Sequence, residues 1–274
     1  MAAVINTNMM SLNSQRALGT SQSSLATSMA RLSSGLRVNS SKDDAAGLAV
    51  AQQMNAKARS SQVAIRNAND GISMAQTAEG GMSQIGDILQ RMRELAMQSA
   101  NGTYDTDART ALGTEYDDLV EEIDRIANST KFNGVALING SGASTDFAVD
   151  VEGTDNVTID FSSLDVLSST LGVASGDIAS ASGASAILAD IDDAITTLNT
   201  NRATLGAAQN RLEFTINNLQ VQYENQKSAY GRIMDADYAV ETANLTRTQI
   251  LQQAGTAMLA QANALPQSVL QLLG

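Results

Sequence analysis

Apolar residues recur along this chain at intervals of three and four over unusually long stretches. From Ile65 the positions Ile65, Ala68, Ile72, Ala75, Ala78, Met82, Ile85, Leu89, Met92 and Ala96 fall on one helical face. The pattern predicts a helix of roughly 40 residues, about 60 Å long at ~1.5 Å per residue. Asn101-Gly102 ends it, and Glu79-Gly80-Gly81 is expected to loosen or bend one turn. Leu112, Tyr116, Leu119, Ile123 and Ile126 mark a shorter helix. Ile191, Leu198, Leu205, Leu212, Leu219 and Ile233 then share a seven-residue register broken only by Gln226, which predicts a second long helix over about 185–230.

The two ends carry seams of their own. Leu18, Leu25, Met29, Leu32 and Leu36 are helically spaced, and Gly35, Asn39-Ser40-Ser41 and the capping candidates Asp43 and Asp44 predict a break after them. At the other end Leu251, Met258, Leu265 and Leu272 lie seven apart, with Ala254, Ala262 and Val269 between, the seam of a helix packed lengthwise on other helices. Residues 248–274 hold no ionisable side chain. Gln252, Gln253, Gln261, Asn263, Gln267 and Gln271 nevertheless cut every apolar run well below the ~18 residues of a membrane span. This tail is expected to meet protein, without membrane insertion, and the two terminal helices look like partners.

Between the helical stretches the period changes. KFNGVALING carries two Asn-Gly turn signals, and DFAVDV and NVTIDF alternate apolar with polar residues on either side of EGTD, so residues 131–161 read as a small antiparallel β element. The fold class is mainly α: a long antiparallel helical bundle, a coiled-coil-like rod, with paired N- and C-terminal helices and a small β-hairpin element.

Composition strengthens the helical reading. Only 3% of residues are aromatic and Pro266 is the sole proline, which leaves long helices uninterrupted. The chain has neither cysteine nor histidine. Disulfides, thiolate metal sites, Ser-His and Cys-His nucleophile pairs and the commonest general base are thereby excluded. No cofactor is expected, and no enzyme. A net charge of −12 opposes nucleic-acid binding. All 29 Asp and Glu lie between Asp43 and Glu241; residues 1–42 hold only Arg16, Arg31, Arg37 and Lys42, and Arg247 alone follows Glu241. Ends free of carboxylates suit burial among many copies, where unpaired acids would be costly. No basic stretch followed by an apolar run opens the chain, so a cleaved secretory signal is not expected.

The carboxylate clusters read as structural. Asp105-Thr106-Asp107 lacks the glycine and distal glutamate of a calcium loop and suits a helix cap. Asp190, Asp192 and Asp193 sit near a helix start, and Glu121, Glu122 and Asp124 form a solvated face. A carboxylate-dependent hydrolase on a helical scaffold would need two acids of raised pKa in one cleft.

RLSSGLRVNSSKDDAAGLAVAQQMNAKARSS at 31–61, NANDGISMAQTAEGGM at 67–82, LQRMRELAMQSAN at 89–101, KFNGVALING at 131–140, and ADYAVETANL with the LPQSVLQLL ending resemble bacterial flagellin. The resemblance implies a self-polymerising subunit of a secreted, extracellular flagellar filament. It implies a helical homopolymer as the partner, with a flagellar cap protein, hook-filament junction proteins, an export chaperone and the flagellar type III export apparatus. The terminal helices would pair in an inner tube. The organisation expected is 1–42 with 234–274 as the terminal domain, 43–140 with 185–233 as the helical rod, and 131–184 as a β element and Ser/Gly-rich connection. The stretch from Ile138 to Ile187 is short, so the large outer domains of many flagellins are expected to be missing. A hook-filament junction protein of the same superfamily is the nearest alternative.

LQRMRELAMQSAN also carries a second apolar row, Ile88 and Leu95, beside the stripe through Ile85, Leu89, Met92 and Ala96. On spacing alone, Leu95 simply widens the core stripe, and Asp87 and Arg91 form an ordinary i,i+4 ion pair. The resemblance implies instead a face for a neighbouring subunit and for host Toll-like receptor 5, carried by Gln90, Arg91, Leu95 and, on the following helix, Glu115.

Overall fold

A computed structural model describes residues 7–273, with side chains described through residue 264. Its elements are α1 (Met9–Ser34), α2 (Ala45–Ala100), α3 (Thr106–Ser129), β1 (Lys131–Phe132), β2 (Val135–Ala136), β3 (Ser144–Ala148), β4 (Asn156–Asp160), α4 (Ala181–Met234) and α5 (Tyr238–Leu273). The chain divides into two compact units. One is Met1–Ala56 with Asn225–Gly274, the terminal unit; the other is Lys57–Glu224, the body.

In the body, α2 and α4 run antiparallel, tied by Arg202–Glu79 at 2.8 Å and Arg93–Asp192 at 2.7 Å. Their stripes meet in one core. Met82, Ile85, Leu89 and Met92 of α2 lie there with Ile191, Leu198, Leu205 and Leu212 of α4 and Tyr116 and Ile123 of α3. Asp105 caps α3 by accepting the Ala108 N–H at 2.9 Å, as its position after Asn101-Gly102 predicts.

β1 pairs with β2, and β3 with β4, both antiparallel; the second pair sets Phe147 opposite Val157. Phe147, Val157 and Ile159 turn into the body core, and Asn67 of α2 donates to the Ala148 carbonyl at 3.0 Å.

Three expectations are revised. The first long helix begins at Ala45, not near Ile65, and α4 reaches from Ala181 to Met234. The added turns of α2 bury Ala51, Ala58, Ser61 and Ala64, a stripe of small side chains that hydrophobicity underweights. Helix α2 also continues unbroken through Glu79-Gly80-Gly81. Gly81 marks a close approach instead, since a Cβ there would come within 2.6 Å of Thr130 Oγ1 and 2.9 Å of Ile138 Cδ1.

The Ser/Gly-rich connection is a built part of the core. Leu164, Val166, Leu171, Val173 and Ile178 are buried. Asp124, read from sequence as part of a solvated face, receives the Ser168 N–H at 2.8 Å and its hydroxyl at 2.9 Å. Ser99 donates to the Ile178 carbonyl, and Tyr116 to the Val173 carbonyl at 3.0 Å.

In the terminal unit, α1 ends at Gly35, whose φ of 71° is the left-handed conformation glycine adopts without strain. A short bridge follows: Arg37 N–H donates to the Met234 carbonyl at 2.6 Å and Ala236 N–H to the Gly35 carbonyl at 2.9 Å. Val38, Ala51 and Met234 form a small cluster there with Leu36, Leu48, Tyr230 and Ile233. Asp44 caps α2 through the Gly47 N–H at 2.8 Å, and Asp43 gathers the N–H groups of Asn39 and Ser40.

Candidate functional site

Helices α1 and α5 pair antiparallel over most of α1. Asn8 Nδ2 donates to the Ala262 carbonyl at 2.8 Å, Leu18 meets Gly255, and Arg31 Nη1 reaches Glu241 Oε1 at 3.0 Å. Along α1 the covered positions are Ser11, Ser14, Leu18, Ser21, Leu25, Ser28 and Leu32, alternating steps of three and four. Along α5 they are Glu241, Leu245, Thr248, Gln252, Gly255, Leu259 and Ala262, with Asn244 also partly covered. Each heptad supplies one leucine or its polar substitute and one small residue, so a large side chain faces a small one.

The seam expected on the C-terminal helix is therefore not the one that receives α1. Leu251 is 50% exposed and Met258 60% exposed. The face toward α1 is the Gly/Ala/Thr-bearing one, where Gly255 receives Leu18. Leu18, Leu25 and Leu32 are partly covered, whereas Met29 stays 57% exposed. Leu265, Val269 and Leu272 have side chains outside the described residues. Met9, Met10, Leu12 and Met29 of α1 and Ile250, Leu251 and Met258 of α5 thus remain bare in the single chain.

This exposure coincides with a charge asymmetry. The terminal unit carries seven Lys and Arg against five Asp and Glu; the body carries ten against twenty-four.

A second candidate surface lies on α2 and α3. Arg91 Nη2 and Nε both reach Glu115 Oε1, at 2.7 and 2.9 Å, and Nη1 reaches Glu94 at 3.1 Å. Those hydrogen bonds to Glu115 and Glu94 raise the Arg91 pKa further above its usual value. Arg91 does not pair with Asp87 as helical spacing suggests; the neighbouring helix offers a better fork geometry. Gln90 is exposed. Leu95 is 0% exposed, in the same core as Tyr116 and Ile123, and half-buried Ile88 packs against that core. The second apolar row is covered by the chain itself, because α3 contributes Leu112, Tyr116 and Leu119 to the same cluster.

Other chemistry is sparse. Among the described residues no group of three or more His, Cys, Asp or Glu could hold a metal ion, and no helix is long and apolar enough to cross a membrane. A surface groove of about 460 Å³ beside the β3–β4 turn and α4 is lined by Asp150, Asp155, Arg211 and exposed Phe214. Asp150, though burial works against its charge, is held below its ordinary pKa by the Glu152 N–H and the Thr154 hydroxyl. The Ser162 hydroxyl and N–H lower Asp160, and Arg125 lowers Glu122. A general acid needs a shift in the opposite direction.

Comparison with known proteins agrees with this architecture. The bacterial flagellin N-terminal helical region matches residues 5–143, and the bacterial flagellin C-terminal helical region matches residues 188–273. A flagellin of Halalkalibacterium halodurans is 43% identical over 270 residues, covering 98% of this chain and 99% of the relative. The flagellar filament 33 kDa core protein of Treponema phagedenis is 41% identical over 290 residues, with the same coverage. The crystal structure of Bacillus cereus flagellin aligns with a TM-score of 0.51 at 33% identity, covering 56% of this chain and 88% of that one. Long antiparallel helices, paired termini, both flagellin regions matched, and relatives more than 40% identical along nearly the whole chain place it in the flagellin family, a family of structural subunits.

Proposed function

We propose that this chain is the subunit of a flagellar filament, a helical homopolymer in which the terminal helix pairs of many copies cover one another. The observation that carries the reading is the row of bare apolar side chains on α1 and α5, in a unit nearly free of net charge. Each such side chain buried between copies contributes roughly 1.5–3 kcal/mol, against the cost of ordering the subunit. The acidic body stays at the periphery, where water screens it. Helix pairs of this kind are marginal alone, so folding of the ends couples to polymerisation.

Electron microscopy of the purified chain, intact and lacking residues 1–42 or 248–274, tests this. Filaments micrometres long are expected from the intact chain and none from either truncation. Unimpaired growth of a truncated chain overturns the proposal, as does a filament map with α1 and α5 on the water-facing surface.

The same reading entails an extracellular filament, delivery of the subunit by the flagellar type III export apparatus with its chaperone, and assembly between a hook-filament junction and a cap protein. Toll-like receptor 5 recognition is proposed at exposed Gln90 and Arg91 and half-buried Glu115, with buried Leu95 supporting α2 beneath them. Arg91→Ala with Glu115→Ala should then reduce receptor signalling while the body's unfolding free energy stays within about 1 kcal/mol of the parent, as for exposed pairs. Unchanged signalling from that double variant refutes the receptor assignment.

A further inference from the structure

The seam between α1 and α5 leaves its own alignment under-determined. Leucines on α1 recur every seven residues at Leu18, Leu25 and Leu32, and small covered residues on α5, Thr248, Gly255 and Ala262, recur every seven as well, with Gly255 against Leu18. Sliding one helix by a heptad therefore still sets leucine against a small residue. Apolar packing alone separates the true register from the slipped one only weakly.

Polar contacts break that degeneracy: the bridge of Gly35 and Arg37 with Met234 and Ala236 holds the base of the pair, Asn8 with Ala262 its far end, and one charged pair acts within the seam itself. Glu241 is 6% exposed, the last acid of the chain and the only one in α5, and it meets Arg31 in the sole ion pair between α1 and α5 among the described residues. A slip of seven residues separates the two charges, setting Glu241 against Leu25 among serines in one direction and carrying it past the end of α1 in the other. Losing the partner of a buried carboxylate is strongly unfavourable, whereas the intact pair adds little net stability. Such a pair discriminates between alignments better than it strengthens either one.

We propose that Arg31 and Glu241 are positioning residues that lock the register of the terminal helix pair, and thereby fix which apolar side chains each copy presents to its neighbours. This inference rests on the filament reading. A slip of seven residues displaces the exposed Met9, Met10 and Met29 of α1 by about 10 Å along the pair relative to Leu251 and Met258 of α5, so a slipped pair offers a mismatched surface to the growing end.

The absence of native cysteine makes the register directly readable. A Cβ built on Gly255 lies 4.0 Å from Leu18 Cβ, within disulfide range. Leu18→Cys with Gly255→Cys reports the true register, and Leu18→Cys with Thr248→Cys or with Ala262→Cys reports slips in the two directions. The experiment oxidises filaments grown from seeds, in the parent, Glu241→Gln, Arg31→Gln and the exchanged Arg31→Glu/Glu241→Arg backgrounds. Expected are cross-links only at the true pair in the parent, slipped cross-links in either single variant with elongation slowed about tenfold or more, and recovery to within about threefold in the exchanged one. Parent-like elongation of Glu241→Gln with only the true cross-link overturns the proposal, and so does an exchanged variant no better than the singles. Failure of the parent itself to elongate refutes the filament reading instead, so the two failures are distinguishable.

Discussion

The body and the terminal unit share a helical spacing but fill it differently. In the body, positions spaced by threes and fours carry Met82, Ile85, Leu89, Leu198 and Leu205, all essentially inaccessible, and three helices and a hairpin of the same chain close over them. In the terminal unit the covered positions alternate leucine with serine, glycine or alanine, and the larger apolar residues stay outside. Spacing announces a helix face in both regions. Side-chain size along that face decides whether the chain completes itself or waits for another copy.

The sharpest way to break this contrast is a matched pair of truncations. Leu89→Ala should destabilise the isolated chain by about 2–5 kcal/mol in chemical denaturation. Leu25→Ala, at a partly covered site, should cost it under about 1 kcal/mol while slowing filament growth. Equal losses in the monomer would erase the distinction. Next in size is Tyr116→Phe. Its buried hydroxyl, whose pKa rises through desolvation and the nearby Asp117 and Asp190 charges, donates to the Val173 carbonyl. Removing that donor should lower body stability by about 1–3 kcal/mol.

Helix caps give a finer comparison. Asp105→Ala should cost the body about 1 kcal/mol. Asn8 also caps, accepting the Ser11 N–H at 3.2 Å, yet it additionally reaches Ala262. Asn8→Ala should leave the monomer's melting temperature unchanged and slow polymer growth. The smallest expected effect is acid sensitivity. Glu122, Asp150 and Asp160, all in the body, have folded pKa values below their ordinary ones. Their contribution is present above about pH 4.5 and declines as pH falls through the lowered folded values. Melting followed from pH 6 to about 2.5 should show body unfolding move down in temperature, less so in Asp160→Asn.

Much of this was legible in the sequence. Stripes built from Leu, Ile and Met located the helices, and Asp44, Asp105 and Gly35 marked their ends. Legibility failed where side chains were small. Ala51, Ala58 and Ala64 conceal the first turns of α2, and the bulkier row through Leu251 and Met258 masks the Gly/Ala/Thr face of α5 that meets α1. It failed again where partners came from distant segments. Arg91 finds Glu115 rather than the sequence-near Asp87, and Val166, Val173 and Ile178 are buried in a connection whose composition reads as a linker.

The contact between Asn8 and Ala262 spans 254 positions of sequence. Its loop-closure cost falls on a chain that must be almost entirely made, or almost entirely delivered, before its first helix can find its last. A polypeptide emerging from either end lacks its complement until the final turns appear. The wiring diagram is thus also a timer, one that keeps the α1–α5 pair unassembled until nearly the whole chain is present.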